Sequence, residues 1–201
     1  MKQFTIDFDG KESLKHYVSI CGFRGCHAQK DIGKLIGRMK MIERDEELSA
    51  LQLFDADRIA THLHLLVSVF CALHAFRFSK NISKTIGTET LLYASAQRQI
   101  IDAIDKVGVQ LLSHNIAVVA VSQGHENMVA LMRKVNQNLG GEMDDSVLDV
   151  AEQGKAEIVK KTFGLTEVEI EAARIGTNRK DIESTIRNRV VSKISVMGIS
   201  K

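Results

Sequence analysis

At 201 residues, with 44% hydrophobic and 26% charged side chains and no proline, the chain can bury a real core, and its composition excludes extended disorder. A formal net charge of +2 is too small to give nucleic-acid affinity by itself, so any such site must be local. Three cysteines, Cys21, Cys26 and Cys71, are an odd number, and the N-terminus (Lys2, Asp7, Asp9) lacks the apolar region of a signal peptide, so reduced thiols in the cytoplasm are expected rather than a disulfide framework.

Phe4, Ile6 and Phe8 alternate with polar residues, the period of a half-buried strand, and Asp9-Gly10 supplies a turn. A second strand over about 16–22 pairs with it and ends at Gly22-Phe23-Arg24-Gly25. Ile32, Leu35, Ile36 and Met39 fall at helical spacing, with Lys34, Arg38 and Lys40 on the other side. After a charged surface loop over 43–47, Ala50 to Phe54 reads as a third strand. Asp55 and Asp57 then place negative charge at the start of a long helix, where the dipole favours it. From Leu65 to about Phe78 that helix is apolar nearly all round, the pattern of a core helix covered on every side. The run is too short for a membrane span and contains His74 and Arg77, so no membrane is expected.

Residues 79–121 organise the rest. They read as a basic turn, a short buried strand at Leu91–Ala94, a helix turning Ile100, Ile101, Ile104 and Val107 inward before Gly108, and a second buried strand over 116–121. Strand, helix, strand is the local signal of an α/β sheet. A helix from about Gln123 to Asn138, with its opening at Gln123-Gly124-His125, turns Met128, Leu131, Met132 and Val135 inward, and Asn138-Leu139-Gly140-Gly141 is the best boundary in the chain. Beyond an acidic turn over 142–149 come helices only: one ending at Phe163-Gly164, one opened by the capping box Thr166-x-x-Glu169, and a last one capped by Asn178 and running to about Met197. The expectation is α/β: a mixed β-sheet of about five strands packed with helices over 1–140, and a C-terminal all-helical extension, 141–201, packing on it and offering a partner-binding face.

The pattern carries no phosphate loop, dinucleotide fingerprint, Gly-x-Ser-x-Gly or His-Glu-x-x-His, and His125-Glu126 lacks the second histidine. Cys21-x4-Cys26-His27 misses the spacing of a zinc knuckle, His62 and His64 point apart on a helix, and His64, Cys71 and His74 sit in an apolar stretch as core residues. No catalytic residue, metal or cofactor is expected, and the chain reads as no enzyme. What remains is positive charge. Arg77, Lys80 and Lys84 share one face, with Asn81 beside them, if the long helix runs on through them. Arg98 precedes a helix start, where a cation opposes the dipole by about 0.3–1 kcal/mol unless an anion sits on the free N–H groups of the turn after Ser95. A solvated Lys/Arg face is the plain alternative. A small hydrolase of phosphate esters, with its anion site at the Ser95–Arg98 helix start, is a second function these residues permit, although no nucleophile is identifiable. On the last helix Ile182, Ile186, Val190, Ile194 and Met197 form one stripe, to be buried on its own domain or on a partner.

Lys80-Asn81-Ile82-x-Lys84, followed by Gly87-x-Glu89-x-Leu91-Leu92-Tyr93-x-Ser95-x-x-Arg98-Gln99-Ile100, resembles the signature of the smallest core subunit of the KEOPS complex, the family that includes the PRPK-binding protein. The similarity is closest over about 77–109, and no motif matches after about Gly140. The resemblance implies a non-catalytic subunit. Archaeal members of that family bind the single-stranded CCA end of tRNA, which would assign RNA contacts among Lys80, Asn81, Lys84, Ser95 and Arg98, with Arg77 on the same basic surface. The family's C-terminal helical region docks on the N-lobe of a small kinase-like ATPase subunit, which would make Ile182, Ile186, Val190 and Ile194 partner-binding. The complex makes threonylcarbamoyladenosine next to the anticodon of tRNA. ATP, metal and carbamoyladenylate belong to its other subunits.

Overall fold

The structure, a computed structural model, describes residues 1–10, 15–27, 31–124, 127–152, 154–176 and 178–199. Five strands form one sheet: β1 (Lys2–Asp7), β2 (Lys15–Arg24), β3 (Ala50–Asp55), β4 (Ile116–Ser122) and the two-residue β5 (Glu142–Met143). The order is β1-β2-β4-β3 with β5 on the end of β2, and every pairing is antiparallel. Eight α-helices accompany it among the described residues: α1 (Ile32–Asp45), α2 (His62–Arg77), α3 (Ile86–Ser95), α4 (Ile100–Val107), α5 (Met128–Leu139), α6 (Lys155–Phe163), α7 (Glu167–Ala173) and α8 (Arg179–Ile199). The α/β class, the strand number and the helical C-terminal region are as expected. The sheet's composition is not, because Leu91–Ala94 lies inside α3 and the fifth strand is β5, in the stretch read as an acidic turn.

Strand alternation sorts the core into two layers. Ile20, Phe54, Val119 and Val121 face α2, α3 and the helices of the C-terminal region. Cys21, Phe23, Leu53 and Val118 face α1 and α5 on the other side. Ile186, Val190 and Ile194 of α8 enter the same cluster as Ile20 and Phe54, so the sheet and the C-terminal helices share one core.

Several local expectations shift. The acidic stretch read as a loop at 43–47 is helical through Asp45, where Glu43 turns back to accept from the Leu51 N–H at 3.0 Å. Asp55 and Asp57 do not open α2. Asp55 caps a 3-10 turn, Ala56–Arg58, and accepts from the Ser113 hydroxyl at 2.9 Å, while Thr61 occupies the N-cap position of α2. Ile100, Ile101 and Ile104 are exposed rather than inward; Ala103 and Val107 hold α4 to the core. α5 begins at Met128 with Asn127 as its cap; of the expected opening Gln123-Gly124-His125, the first two residues are not helical and His125 lies outside the described residues. The Thr166–Glu169 capping box forms in both directions, and Asn178 accepts from the Asp181 N–H at 3.0 Å at the start of α8. Gly140 ends α5 at φ 69°, a left-handed conformation that favours glycine, and a Cβ there would meet the His27 ring at 2.4 Å.

His64 ties the helical layer together. Fully buried, its Nδ1 accepts from the Ala60 N–H at 3.2 Å and its Nε2 lies 2.7 Å from the Ala94 carbonyl, which fixes a neutral imidazole with its proton on Nε2. Burial pushes its pKa down to about 4. The unfolded chain binds that proton near pH 6.5 and the folded one does not, so folding stability is expected to fall as pH drops from about 6.5 to about 4. At about 1.4 kcal/mol per pKa unit the loss is about 3 kcal/mol. Urea melts at pH 7 and pH 4.5 test this: the wild type should lose more stability than His64→Gln, which keeps a donor and an acceptor and has no proton to gain.

Candidate functional site

The motif that singled out 80–100 is built around α3, and its structure differs from the expected strand. Leu91, Leu92 and Ala94 are strong helix formers. Thr85 caps the helix by accepting from the Thr88 N–H at 3.2 Å. Packing on α2, α4, α8 and β3 buries nearly the whole helix, which is why its periodicity is silent.

The long helix does not run on through the basic residues. The Lys80 N–H reaches back to the Ala75 carbonyl at 2.8 Å and the Ser79 N–H to Phe76 at 3.2 Å, with Ser79 at φ 55°, a Schellman closure that ends α2 at Arg77. Arg77, Lys80 and Lys84 therefore share no helical face. Lys80 and Lys84 lie on the loop between α2 and α3, both exposed. Arg77 is ion-paired to Asp9, with its guanidinium 5.3 Å from the Phe8 ring centre and 5.7 Å from that of Phe78.

The loop is held from beneath by Glu89, a residue of the quoted motif to which the sequence reading gave no role. Its side chain is fully buried, and one carboxyl oxygen accepts from the N–H groups of Ile82 (3.0 Å) and Ser83 (2.7 Å). The Asn81 amide donates to the Ser83 carbonyl at 2.9 Å, and the Ser83 hydroxyl donates to that of Thr85 at 2.9 Å. Asn81 thus shapes the loop that presents Lys84. Ser95 does not reach the surface: it is 0% exposed and its hydroxyl donates to the Leu92 carbonyl at 2.9 Å. It can neither touch RNA here nor serve the phosphate-ester reading as a nucleophile.

Lys84 and Arg98 flank the two ends of α3, ten residues or about 15 Å long. A cleft of about 340 Å³ is lined by residues near both in sequence, Thr85 and Ile100. It lies at the free edge of β3, between α1 of one layer and α3 and α4 of the other. Leu53 and Leu91 contribute to its floor and Ile36, Ile100 and Ile104 to its walls. Lys40 lines it; Lys84 directly precedes the lining residue Thr85, and the exposed Arg98 stands two residues before the lining residue Ile100. Gly87 lets α3 approach: a Cβ there would sit 3.3 Å from the Gln52 side chain. Within the cleft two backbone groups of β3 have side-chain partners, the Leu51 N–H in Glu43 and the Leu53 carbonyl in the Gln52 amide, each at 3.0 Å. These two bonds blunt an edge that could otherwise recruit another strand, and an apolar trough lies beside it.

The stripe expected to bind a partner is internal. Ile186, Val190 and Ile194 are 0% exposed and Ile182 is half-buried, all against this chain's own helices. Burial also pushes the Cys21 thiol up to about 12 and that of Cys26 to about 11, far from the thiolate form that metals and nucleophilic chemistry need. Among the described residues no group of three His, Cys, Asp or Glu side chains is placed to hold a metal ion, and no helix is long and apolar enough to cross a membrane.

Fold and site define an α/β protein built on an antiparallel sheet, with an apolar surface cleft bordered by lysine and arginine. The sequence model of the kinase binding protein CGI-121 family matches residues 27–198, and the chain belongs to that family of kinase-binding regulatory proteins. It is 32% identical over 112 residues to the regulatory protein Cgi121 of Methanocaldococcus jannaschii, covering 56% of this chain and 68% of the relative.

Proposed function

We infer that this chain is a non-catalytic subunit of a KEOPS-type assembly. It binds the kinase-like ATPase subunit and recruits tRNA by its single-stranded CCA end, supporting threonylcarbamoyladenosine formation next to the anticodon in the cytoplasm. The observation that carries the RNA part is the cleft: an apolar trough of about 340 Å³ lined by Lys40, with Lys84 and Arg98 next to and two residues from its lining residues Thr85 and Ile100. Single-stranded recognition uses these two ingredients, apolar or aromatic surface for bases and cations for phosphates. The kinase part rests on family membership. Positioning a substrate requires no acid, base or nucleophile from this chain.

The test is tRNA binding by the purified protein. Lys84→Glu combined with Arg98→Glu is expected to weaken binding at least tenfold with an unchanged melting temperature, both side chains being exposed. The salt dependence should also become shallower by about one to two phosphate contacts. Removing the unpaired terminal nucleotides from the tRNA should have the same effect as the double variant. Equal affinity for intact and trimmed tRNA would refute the RNA assignment.

A further inference from the structure

Two polar side chains that line the cleft have an oxygen to spare. Gln52 comes from β3 and Glu43 from α1, and both are half-buried. The Gln52 Nε2 donates to the Leu53 carbonyl and one Glu43 oxygen accepts from the Leu51 N–H, each at 3.0 Å, so the edge of β3 fixes both side chains. Among the described residues no donor reaches Gln52 Oε1 or the second Glu43 oxygen, and neither atom is cut off from solvent. Gln52 Oε1 is also the atom that a Cβ on Gly87 would meet at 3.3 Å, which places it between β3 and the lining residue Gly87 of α3.

The direction of the Gln52 amide is forced. The Leu53 carbonyl can only accept, so the amide turns its NH2 there and its oxygen away, and a flip would set two oxygens against each other. The Glu43 carboxylate likewise only accepts. The cleft therefore presents acceptors that cannot be turned into donors, among apolar side chains that leave an unmet hydrogen bond costly.

Resting on the tRNA reading above, we propose that Gln52, with Glu43 on the same strand edge, reads the base held in the cleft. Cytosine and adenine, which carry an exocyclic amine, are admitted over the keto bases uracil and guanine. The amines N4 of cytosine and N6 of adenine are donors where uracil O4 and guanine O6 are acceptors. An amine facing Gln52 Oε1 gains a hydrogen bond, whereas a carbonyl there sets two acceptors together with no donor between them. Charge orients the rest of the nucleotide. Lys40 lines the cleft, and it has no ion pair among the described residues. The phosphate is drawn to it and to Lys84 and Arg98 and is repelled by Glu43, which leaves the neutral base for the acceptors. Every nucleotide of a CCA end belongs to the admitted class, so the selection holds whichever of them enters.

The experiment measures binding of the full-length chain to tRNA whose unpaired terminal nucleotides are replaced one at a time. Each takes first the riboside that lacks the amine (purine riboside for adenosine, 2-pyrimidinone riboside for cytidine), then the keto nucleotide, guanosine or uridine. At one position the amine-free riboside is expected to bind about five- to tenfold more weakly than the natural nucleotide, and the keto nucleotide more weakly still. Gln52→Met, close in shape and without the acceptor, should bind the natural and the amine-free end alike. No loss at any position in the wild type would overturn the proposal, and so would undiminished discrimination in Gln52→Met, while removal of the unpaired nucleotides still weakens binding. Equal affinity for intact and trimmed tRNA would instead overturn the RNA reading itself, and the base selection with it.

Discussion

Ile186→Asp is expected to leave no folded protein. Ile186 is fully buried on α8, which packs against α2, α3, α6 and α7. Removing an isoleucine side chain from a core costs about 2–5 kcal/mol through lost burial and the cavity left behind. A carboxyl group placed there with no donor in reach adds several kcal/mol, whichever protonation state it adopts. Domains of this size are stable by about 5–15 kcal/mol, so the change consumes most or all of the margin. Circular dichroism and soluble yield should both report the loss. Ile186→Val should cost only about 0.5–1.5 kcal/mol and stay soluble. A soluble, cooperatively melting Ile186→Asp protein that had lost only its kinase partner would show that α8 does not belong to this core.

That stripe marks the limit of what the sequence discloses. Spacings of four, four, four and three state that Ile182 to Met197 is buried, and they are silent on what buries it. A terminal helix invites assignment to a partner, whereas here the helices beneath it are the ones that would be left uncovered. The opposite error occurs on α4, whose apolar arc is exposed at Ile100, Ile101 and Ile104 while the smaller Ala103 and Val107 do the packing. A period identifies a face, and the core can lie at its edge. Strands alternating toward one layer, as at Phe4 and Ile6, and caps such as Thr166 with Glu169 were legible because their causes are local. α3 was not, because burial on all sides erases periodicity. The cleft was not, because it joins residues from α1, β3, α3 and α4 that no local window contains. Lys84 and Arg98 were found by charge and by resemblance; Glu89 carried a signal that charge counting hides, the one charged residue between Lys84 and Arg98.

Glu89 also carries the second large effect. Its carboxyl oxygen accepts from two backbone donors, Ile82 N–H and Ser83 N–H, at the base of the loop that displays Lys80 and Lys84. Hydrogen bonds to charged groups contribute about 1.5–3 kcal/mol each, and a buried donor left without a partner costs about 1–3 kcal/mol. Glu89→Ala removes the acceptor and opens a cavity, for an expected loss of about 3–5 kcal/mol in folding stability. Glu89→Gln keeps the shape and a neutral acceptor and should lose less than half as much. Because the loop and not the whole core depends on this group, amide exchange at Ile82 and Ser83 should accelerate by more orders of magnitude than exchange in β4. The tRNA affinity should drop with it, although Glu89 itself lies 0% exposed and can touch no ligand. Unchanged protection of those two amides in Glu89→Ala would mean that the loop is held by its own turn, through Asn81, Ser83 and Thr85, and that Glu89 is replaceable.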